Sequence, residues 1–367
     1  MRLLLTWTLW ICGGLLYLVY VGGGLSIGGV AFASTVRTAY SAFHTPEERP
    51  AAMSRIAAGP GRILPNSEDF MRQQMLNVIP DWNGSERISI LLLGIDQRDT
   101  ERVAGIPTRS DTMSVLSINP VTKAAALISF PRDLWVSIPG LGEQRINEAY
   151  PWGEVRRVEG GGPGLAARTI EQNFGLQINH YAIVNFSGFE DLINMLGGVV
   201  IDVPRPLADD TYPTENYGVQ RIFFAPGPQL MDGSMALKYA RTRHADSDFG
   251  RIRRQQQVLL GMRDRALRQN LIARLPALVD QGARSVQTDF SPTELLSLGK
   301  LATQIDTSTL TTVEVTYPLV RDFRGYDGAF LLLPDKAAIR ATIARALEPP
   351  PTPAPSPTTP AAVAQVN

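Results

Sequence analysis

Cysteine is almost missing from this chain: its 367 residues hold one, Cys12, and that one lies inside an apolar run. A disulfide framework, a cysteine zinc site and a thiol nucleophile are therefore excluded. Histidine is scarce as well, and His44, His180 and His244 are too scattered to form a metal motif by spacing. No charge predominates, because 35 Lys and Arg residues balance 35 Asp and Glu residues. That balance gives no general case for a nucleic-acid partner, so any basic patch must be local. The chain also lacks a glycine-rich loop ending in Gly-Lys-Ser/Thr, a His-Glu-x-x-His segment and a Gly-x-Ser-x-Gly elbow. The phosphate loop, zinc protease and serine hydrolase schemes built on those motifs fall away with them.

What is present is ordinary globular material, 44% hydrophobic and 19% charged, between two unusual ends. From Leu3 to Val36 no residue is charged, and about 20 apolar residues are enough to cross a bilayer. Ala31-Phe32-Ala33 before Ser34 also resembles a signal-peptide cleavage site, but the run exceeds the usual apolar region of about 7–15 residues. Either reading exports the rest of the chain, and the length favours a single membrane anchor. Arg2 is the only positive flank before the run and places the N-terminus in the cytoplasm. Prolines punctuate residues 37–85, which read as a stalk or peripheral lobe. At the far end, Pro349 to Pro360 contains seven prolines in twelve residues, so 348–367 is expected to be an extended tail.

Between the ends, strands alternate with helices. Arg87 to Ile95 is an almost continuous apolar run of the kind buried on both faces. Met113 to Ile118 and Ala124 to Phe130 flank Asn119-Pro120 and predict a hairpin. Helices are expected at 163–174, at Ser187 to Met195 with Ser187 as cap and Glu190 three later, at Ser234 to Tyr239, from Gly250 to about Leu267, and at 291–303 and 335–347. Strands are expected at Tyr181 to Phe186, Val199 to Val203 and Thr312 to Tyr317. The glycines at 160–162 and 164 follow no predicted strand and read as a loop. The pattern predicts a three-layer α/β/α fold, with a mixed sheet between helices.

Two groups of residues could carry chemistry. Asp96 ends a strand and Asp111 precedes the next, so both carboxylates can meet at one sheet edge. Mg²⁺ commonly takes one or two carboxylates there and fills its remaining places with water and phosphate oxygens. Turn and cap roles explain the same two residues. The second group is Arg241, Arg243, Arg251, Arg253 and Arg254, all within fourteen residues. Arg251 and Gln255 are four apart and share a helical face near a helix N-terminus, where anions are favoured. Arg253 points about 200° away from Arg251. Arg241 and Arg243 share a side only if their segment is extended. Converging guanidiniums match phosphate geometry, whereas pairing with Asp246, Asp248 and Asp264 would make the cluster a plain surface helix. Arg132 in Phe130-Pro131-Arg132-Asp133 lies just past a strand end, where a ligand crevice opens.

In order along the chain come Gly94-Ile95-Asp96, Arg109-Ser110-Asp111-Thr112, Phe130-Pro131-Arg132-Asp133, Arg145-Ile146-Asn147-Glu148-Ala149-Tyr150, Asn185-Phe186-Ser187-Gly188-Phe189, Leu196-Gly197-Gly198-Val199, Tyr239-Ala240-Arg241-Thr242-Arg243 and Asp248-Phe249-Gly250-Arg251-Ile252-Arg253-Arg254-Gln255. This series resembles the LytR-CpsA-Psr family over about residues 86–270. The resemblance implies an extracytoplasmic, membrane-anchored catalytic domain, over 86–347. Such a domain moves a glycan from a polyprenyl pyrophosphate carrier to peptidoglycan or another cell-wall acceptor. It implies Asp96 and Asp111 as Mg²⁺ ligands, and Arg109, Arg132, Arg241, Arg243, Arg251 and Gln255 as pyrophosphate contacts. Asp248 would be the base, with Arg109, Arg132 and Arg251 supporting the chemistry. Asn194 departs from the Asp often found there, which should affect a helix end more than the reaction, and the spacer between Asp96 and Asp111 is long. A pyrophosphate hydrolase or a non-catalytic glycan-binding regulator would use much the same residues.

Overall fold

The structure is a computed structural model that describes residues 76–96, 108–214, 218–243, 246–268, 285–305, 310–325 and 328–348, together with 279 and 282. The apolar run, the stalk up to residue 75, residues 97–107 of the Asp96–Asp111 spacer and the tail from residue 349 lie outside the described residues. Among the described residues no helix is long and apolar enough to cross a membrane.

A six-stranded mixed sheet organises the domain. Its strands are β1 (Ile88–Ile95), β2 (Ser110–Ile118), β3 (Ala125–Phe130), β6 (His180–Val184), β11 (Val286–Thr288) and β12 (Thr311–Glu314), in the order β11-β6-β1-β2-β3-β12. Strand β1 runs antiparallel to β2 and parallel to β6, and β12 runs parallel to β3. The β2–β3 hairpin turns where expected, because the Asn119 side chain accepts from the backbone N–H groups of Val121 and Thr122.

Alternation along β1 explains the three layers. Leu91, Leu93 and Ile95 enter one core, with α1 (Ala149–Arg156), α2 (Gly161–Phe174) and α7 (Lys336–Leu347), while Ile88 and Ile90 enter another on the opposite face. That opposite face carries α6 (Pro292–Ala302), whose start is fixed by a capping box between Ser291 and Glu294. A third core joins α3 (Phe186–Met195), α4 (Gly233–Arg241) and α5 (Asp248–Arg268) to β7 (Val199–Val203), β8 (Leu207–Pro213), β9 (Val219–Phe224) and β10 (Gly227–Met231). Two small ribbons complete the domain, β4 (Trp135–Ile138) with β5 (Gly142–Arg145), and β13 (Val320–Arg324) with β14 (Phe330–Pro334).

Several expectations shift. Helix α3 begins at Phe186, capped by the Asn185 side chain accepting from Gly188 N–H at 2.9 Å, so Ser187 is inside the helix and is not its cap. The run at 160–164 is a helix start: Gly160 caps α2 with φ of 73°. A Cβ on Gly162 would meet the Tyr150 carbonyl oxygen at 2.6 Å, so this glycine lets α1 and α2 pack closely. Asn194 does act at a helix end, its side-chain oxygen accepting from Gly233 N–H at 2.8 Å to tie α3 to the start of α4.

Candidate active site

Strands β1 and β6 are parallel, and β1 delivers Asp96 at its C-terminal end. Beside it β2 begins with Ser110 and Asp111, and β3 ends just before Pro131-Arg132. A cavity of about 350 Å³ opens there, bounded by this sheet edge and by α3, α4, α5 and β8. Its apolar lining includes Leu92, Ala182, Val184, Phe189, Leu192 and Leu259. Its charged and polar lining gathers Asp96, Asp111, Arg132, Arg241, Arg243, Arg251 and Gln255. Seven of the nine residues to which the family resemblance gives a role therefore line one space.

The charges are arranged in pairs, and several of their buried polar atoms are left without a hydrogen-bond partner. Arg132 Nη1 donates to Asp111 Oδ2 at 2.9 Å, and its Nε lies 3.6 Å from Asp133 and 3.8 Å from Asp248. Arg251 Nη2 sits 2.7 Å from Asp248 Oδ1 and donates to the Asp111 carbonyl at 3.3 Å. Arg241 lies against the Phe186 ring, 3.7 Å from its centroid, donates to the Tyr212 hydroxyl at 3.3 Å, and stands 3.8 Å from Asp96 Oδ1. Buried Nε atoms of Arg132 and Arg251, and Oδ2 of Asp248, have no hydrogen-bond partner. Such groups are costly unless a ligand satisfies them.

Burial shapes the ionisation. It pushes the Asp248 carboxyl above the usual carboxylate value, against the opposing pull of Arg251 and Arg132. Burial also lowers Arg251, whereas around Arg132 the carboxylates of Asp111 and Asp248 outweigh burial and raise it. A carboxylate moved toward neutrality beside two guanidiniums suits proton acceptance from a hydroxyl.

Two of the nine, Arg109 and Asp248, are not among the cavity's lining residues; Asp248 instead reaches it through its contacts with Arg132 and Arg251, which do line it. Arg109 is 59% exposed and pairs with Glu148 at 2.7 Å. Arg254, counted within the basic cluster, points away from the cavity and is a structural residue. It binds both oxygens of Asp246 and the carbonyls of Tyr239 and Thr242. Arg253 is exposed and pairs with Glu314 at 3.0 Å, on the far side from Arg251 as the helical spacing requires. Arg241 and Arg243 both reach the cavity because Thr242, after the last turn of α4, is extended with ψ of 139°. Thr242 also donates through its hydroxyl to Asp209, a cavity residue 2% exposed. Sequence reading missed Asp209 and Tyr212, which sit on a strand it did not predict, and Phe186, whose motif was quoted without a role.

With this geometry in view, comparison with known proteins is decisive. The LytR_cpsA_psr family model matches residues 65–345. The chain belongs to that family. The match runs well past residue 270, where the motif resemblance ended. Among relatives, the chain is 34% identical over 295 residues to the polyisoprenyl-teichoic acid–peptidoglycan teichoic acid transferase TagU of Oceanobacillus iheyensis, with 80% of each chain covered. It is also 34% identical over 193 residues to the regulatory protein MsrR of Staphylococcus aureus, covering 52% of each. The crystal structure of Bacillus subtilis TagV superposes with a TM-score of 0.60 and 28% identity, covering 72% of this chain and 98% of that one.

Proposed function

We propose that this family member transfers a glycan from a polyprenyl pyrophosphate carrier to peptidoglycan or another cell-wall acceptor. The observation that carries this reading is the union, in one cavity, of an apolar lining with a cluster of guanidiniums and carboxylates. An amphipathic substrate, with a prenyl tail joined to a pyrophosphate, matches both halves. The relatives named as teichoic acid transferases support the acceptor class.

In the reaction, the oxygen of an acceptor hydroxyl attacks the phosphorus that carries the glycan. The bond from that phosphorus to the bridging oxygen breaks, and polyprenyl phosphate leaves. Asp248 takes the hydroxyl proton. Arg132, Arg241, Arg243 and Arg251 hold the charge that spreads over the equatorial and leaving oxygens, with Gln255 beside them. No covalent enzyme intermediate forms.

Asp96 and Asp111 fit a Mg²⁺ ion. Two carboxylates at neighbouring strand ends supply hard oxygen donors. No cluster of three or more acidic, His or Cys ligands is found among the described residues. Mg²⁺ commonly takes one or two protein carboxylates and fills its remaining places with water and phosphate oxygens. Bound there, Mg²⁺ would neutralise pyrophosphate charge. The Leu3–Val36 run would anchor the chain with the domain outside the membrane, where both carrier and wall are found.

The test is transfer by the full chain in detergent, given a polyprenyl pyrophosphate oligosaccharide and labelled peptidoglycan fragments. Transfer should stop with chelator and resume with Mg²⁺. Release of glycan phosphate with no acceptor adduct would replace transfer by hydrolysis, and binding without turnover would favour a regulatory role.

A further inference from the structure

Asp248 has two sides. Arg132 and Arg251, which contact its carboxylate, line the cavity, but its neighbour in sequence does not. Phe249 packs edge-on against Tyr317, with ring centroids 5.3 Å apart and planes at 68°. Tyr317 is 50% exposed, and its hydroxyl donates to Asp322. It lies just beyond β12, which runs parallel to β3, so Tyr317 leaves the sheet at the same end as Arg132. A single exposed aromatic residue is ordinary on a protein surface. This one is tethered at its hydroxyl, braced on a second ring, and placed against the residue next to the proposed base.

In-line displacement sets the direction of approach. The attacking and leaving oxygens lie on opposite faces of the phosphorus. With the prenyl phosphate held against the apolar residues of the cavity, the acceptor has to reach Asp248 from outside that lining, and Phe249 with Tyr317 is the aromatic pair next to Asp248 that the cavity does not include. We propose that the Tyr317 ring, held by Phe249 and Asp322, is the platform on which a sugar ring of the acceptor glycan stacks. This rests on the transferase reading and names the acceptor side of that site. An aromatic face offers a large, rigid, amphipathic surface at low conformational cost, which suits the alternating C–H and hydroxyl faces of a pyranose.

The experiment uses full-length chain in detergent and a glycan-strand tetrasaccharide from peptidoglycan as acceptor. Initial rates are measured against acceptor and donor separately, and tetrasaccharide binding is measured by calorimetry without donor. Tyr317→Ala should raise the half-saturating acceptor concentration and the tetrasaccharide Kd by about five- to ten-fold, leaving donor half-saturation within about two-fold. Tyr317→Leu, which keeps apolar packing on Phe249, should behave like Tyr317→Ala. Tyr317→Phe, which keeps the ring, should stay close to the parent. Unchanged tetrasaccharide binding in both Tyr317→Ala and Tyr317→Leu would overturn the platform, as would an effect falling equally on donor and acceptor. If the parent chain binds tetrasaccharide through Tyr317 yet forms no adduct, the transferase reading fails while the platform stands. Loss of vesicle binding or of self-association in these variants, with tetrasaccharide binding intact, would assign the ring to a lipid or a second copy and overturn the proposal.

Discussion

Arg251 and Arg254 stand one turn apart on α5 and are buried alike, 4% and 5% exposed, yet they occupy opposite kinds of surroundings. Arg254 has its Nε, Nη1 and Nη2 engaged, by two oxygens of Asp246 and by the carbonyls of Tyr239 and Thr242. Arg251 keeps a buried Nε with no partner. Their aspartates differ in the same sense. Burial alone would raise Asp246, but hydrogen bonds from Arg254 and from Ser247 N–H outweigh it and hold the carboxyl below the usual carboxylate value. Asp248 is raised, because burial there exceeds the help from Arg251 and Arg132. Burial therefore does not separate the two arginines; what does is that Arg251 lines the cavity and keeps an unsatisfied donor, while Arg254 does neither.

Substitutions that separate the two regions test that contrast. Arg254→Ala should have the largest effect, removing about 3–5 kcal/mol of stability by taking from the half-buried Asp246 its main cationic partner and from two carbonyls their donor; calorimetry should show a lower Tm, with activity lost in step. The Asp246–Arg254 pair also sets an acid limit. Its contribution is present above the ordinary carboxylate value and is lost as pH falls through the depressed folded value. Asp248→Asn should leave an enzyme slower by about a hundred-fold or more. The parent's rate should fall as pH drops through a value above the ordinary carboxylate range, and this acid limb should vanish in the variant.

Arg251→Ala should cost about 2–4 kcal/mol of transition-state stabilisation and move the acid limb to higher pH, since Arg251 pulls Asp248 down. A smaller loss is expected for Gln255→Ala, at most about 1.5–3 kcal/mol for one hydrogen bond to a charged group, read from kcat/KM at fixed Mg²⁺. Arg253→Ala should be the mildest. Its exposed pair with Glu314 is worth about 0–1 kcal/mol, and turnover should not change. Equal damage from Arg253→Ala and Arg251→Ala, with normal melting in both, would remove the helical-face basis of the site.

Helical spacing made part of this visible in sequence. Four residues bring Arg251 and Gln255 onto one face, and two put Arg253 on the other; periodicity gave that division, while the pyrophosphate role of the shared face came from the motif resemblance. Strand ends placed Asp96 and Asp111 together for a similar reason: apolar runs fix where β1 ends and β2 begins. Arg254 could not be assigned that way. Its role depends on carbonyls exposed by the end of α4 and on Asp246, and no local pattern encodes that meeting. Arg109 lies at the start of a strand, where spacing does not decide which carboxylate it meets, and Glu148 captures it. Helix α1 escapes a sequence reading because Pro151 and Gly153 look like turn residues, although Gly153 is needed for contact with α2. The β8–β9 ribbon escapes it because Asp209 and Asp210 interrupt the apolar alternation, and Asp209 and Tyr212 are lost with it.

The central claim is that phosphorus, not the sugar carbon, is attacked by an acceptor oxygen beside Asp248. Mass spectrometry of the lipid and wall products tests it most directly, with full-length chain, a polyprenyl pyrophosphate oligosaccharide, Mg²⁺ and peptidoglycan fragments. Polyprenyl monophosphate together with an acceptor adduct that retains one phosphate on the glycan is the expected pair. Polyprenyl pyrophosphate with a phosphate-free adduct would contradict it.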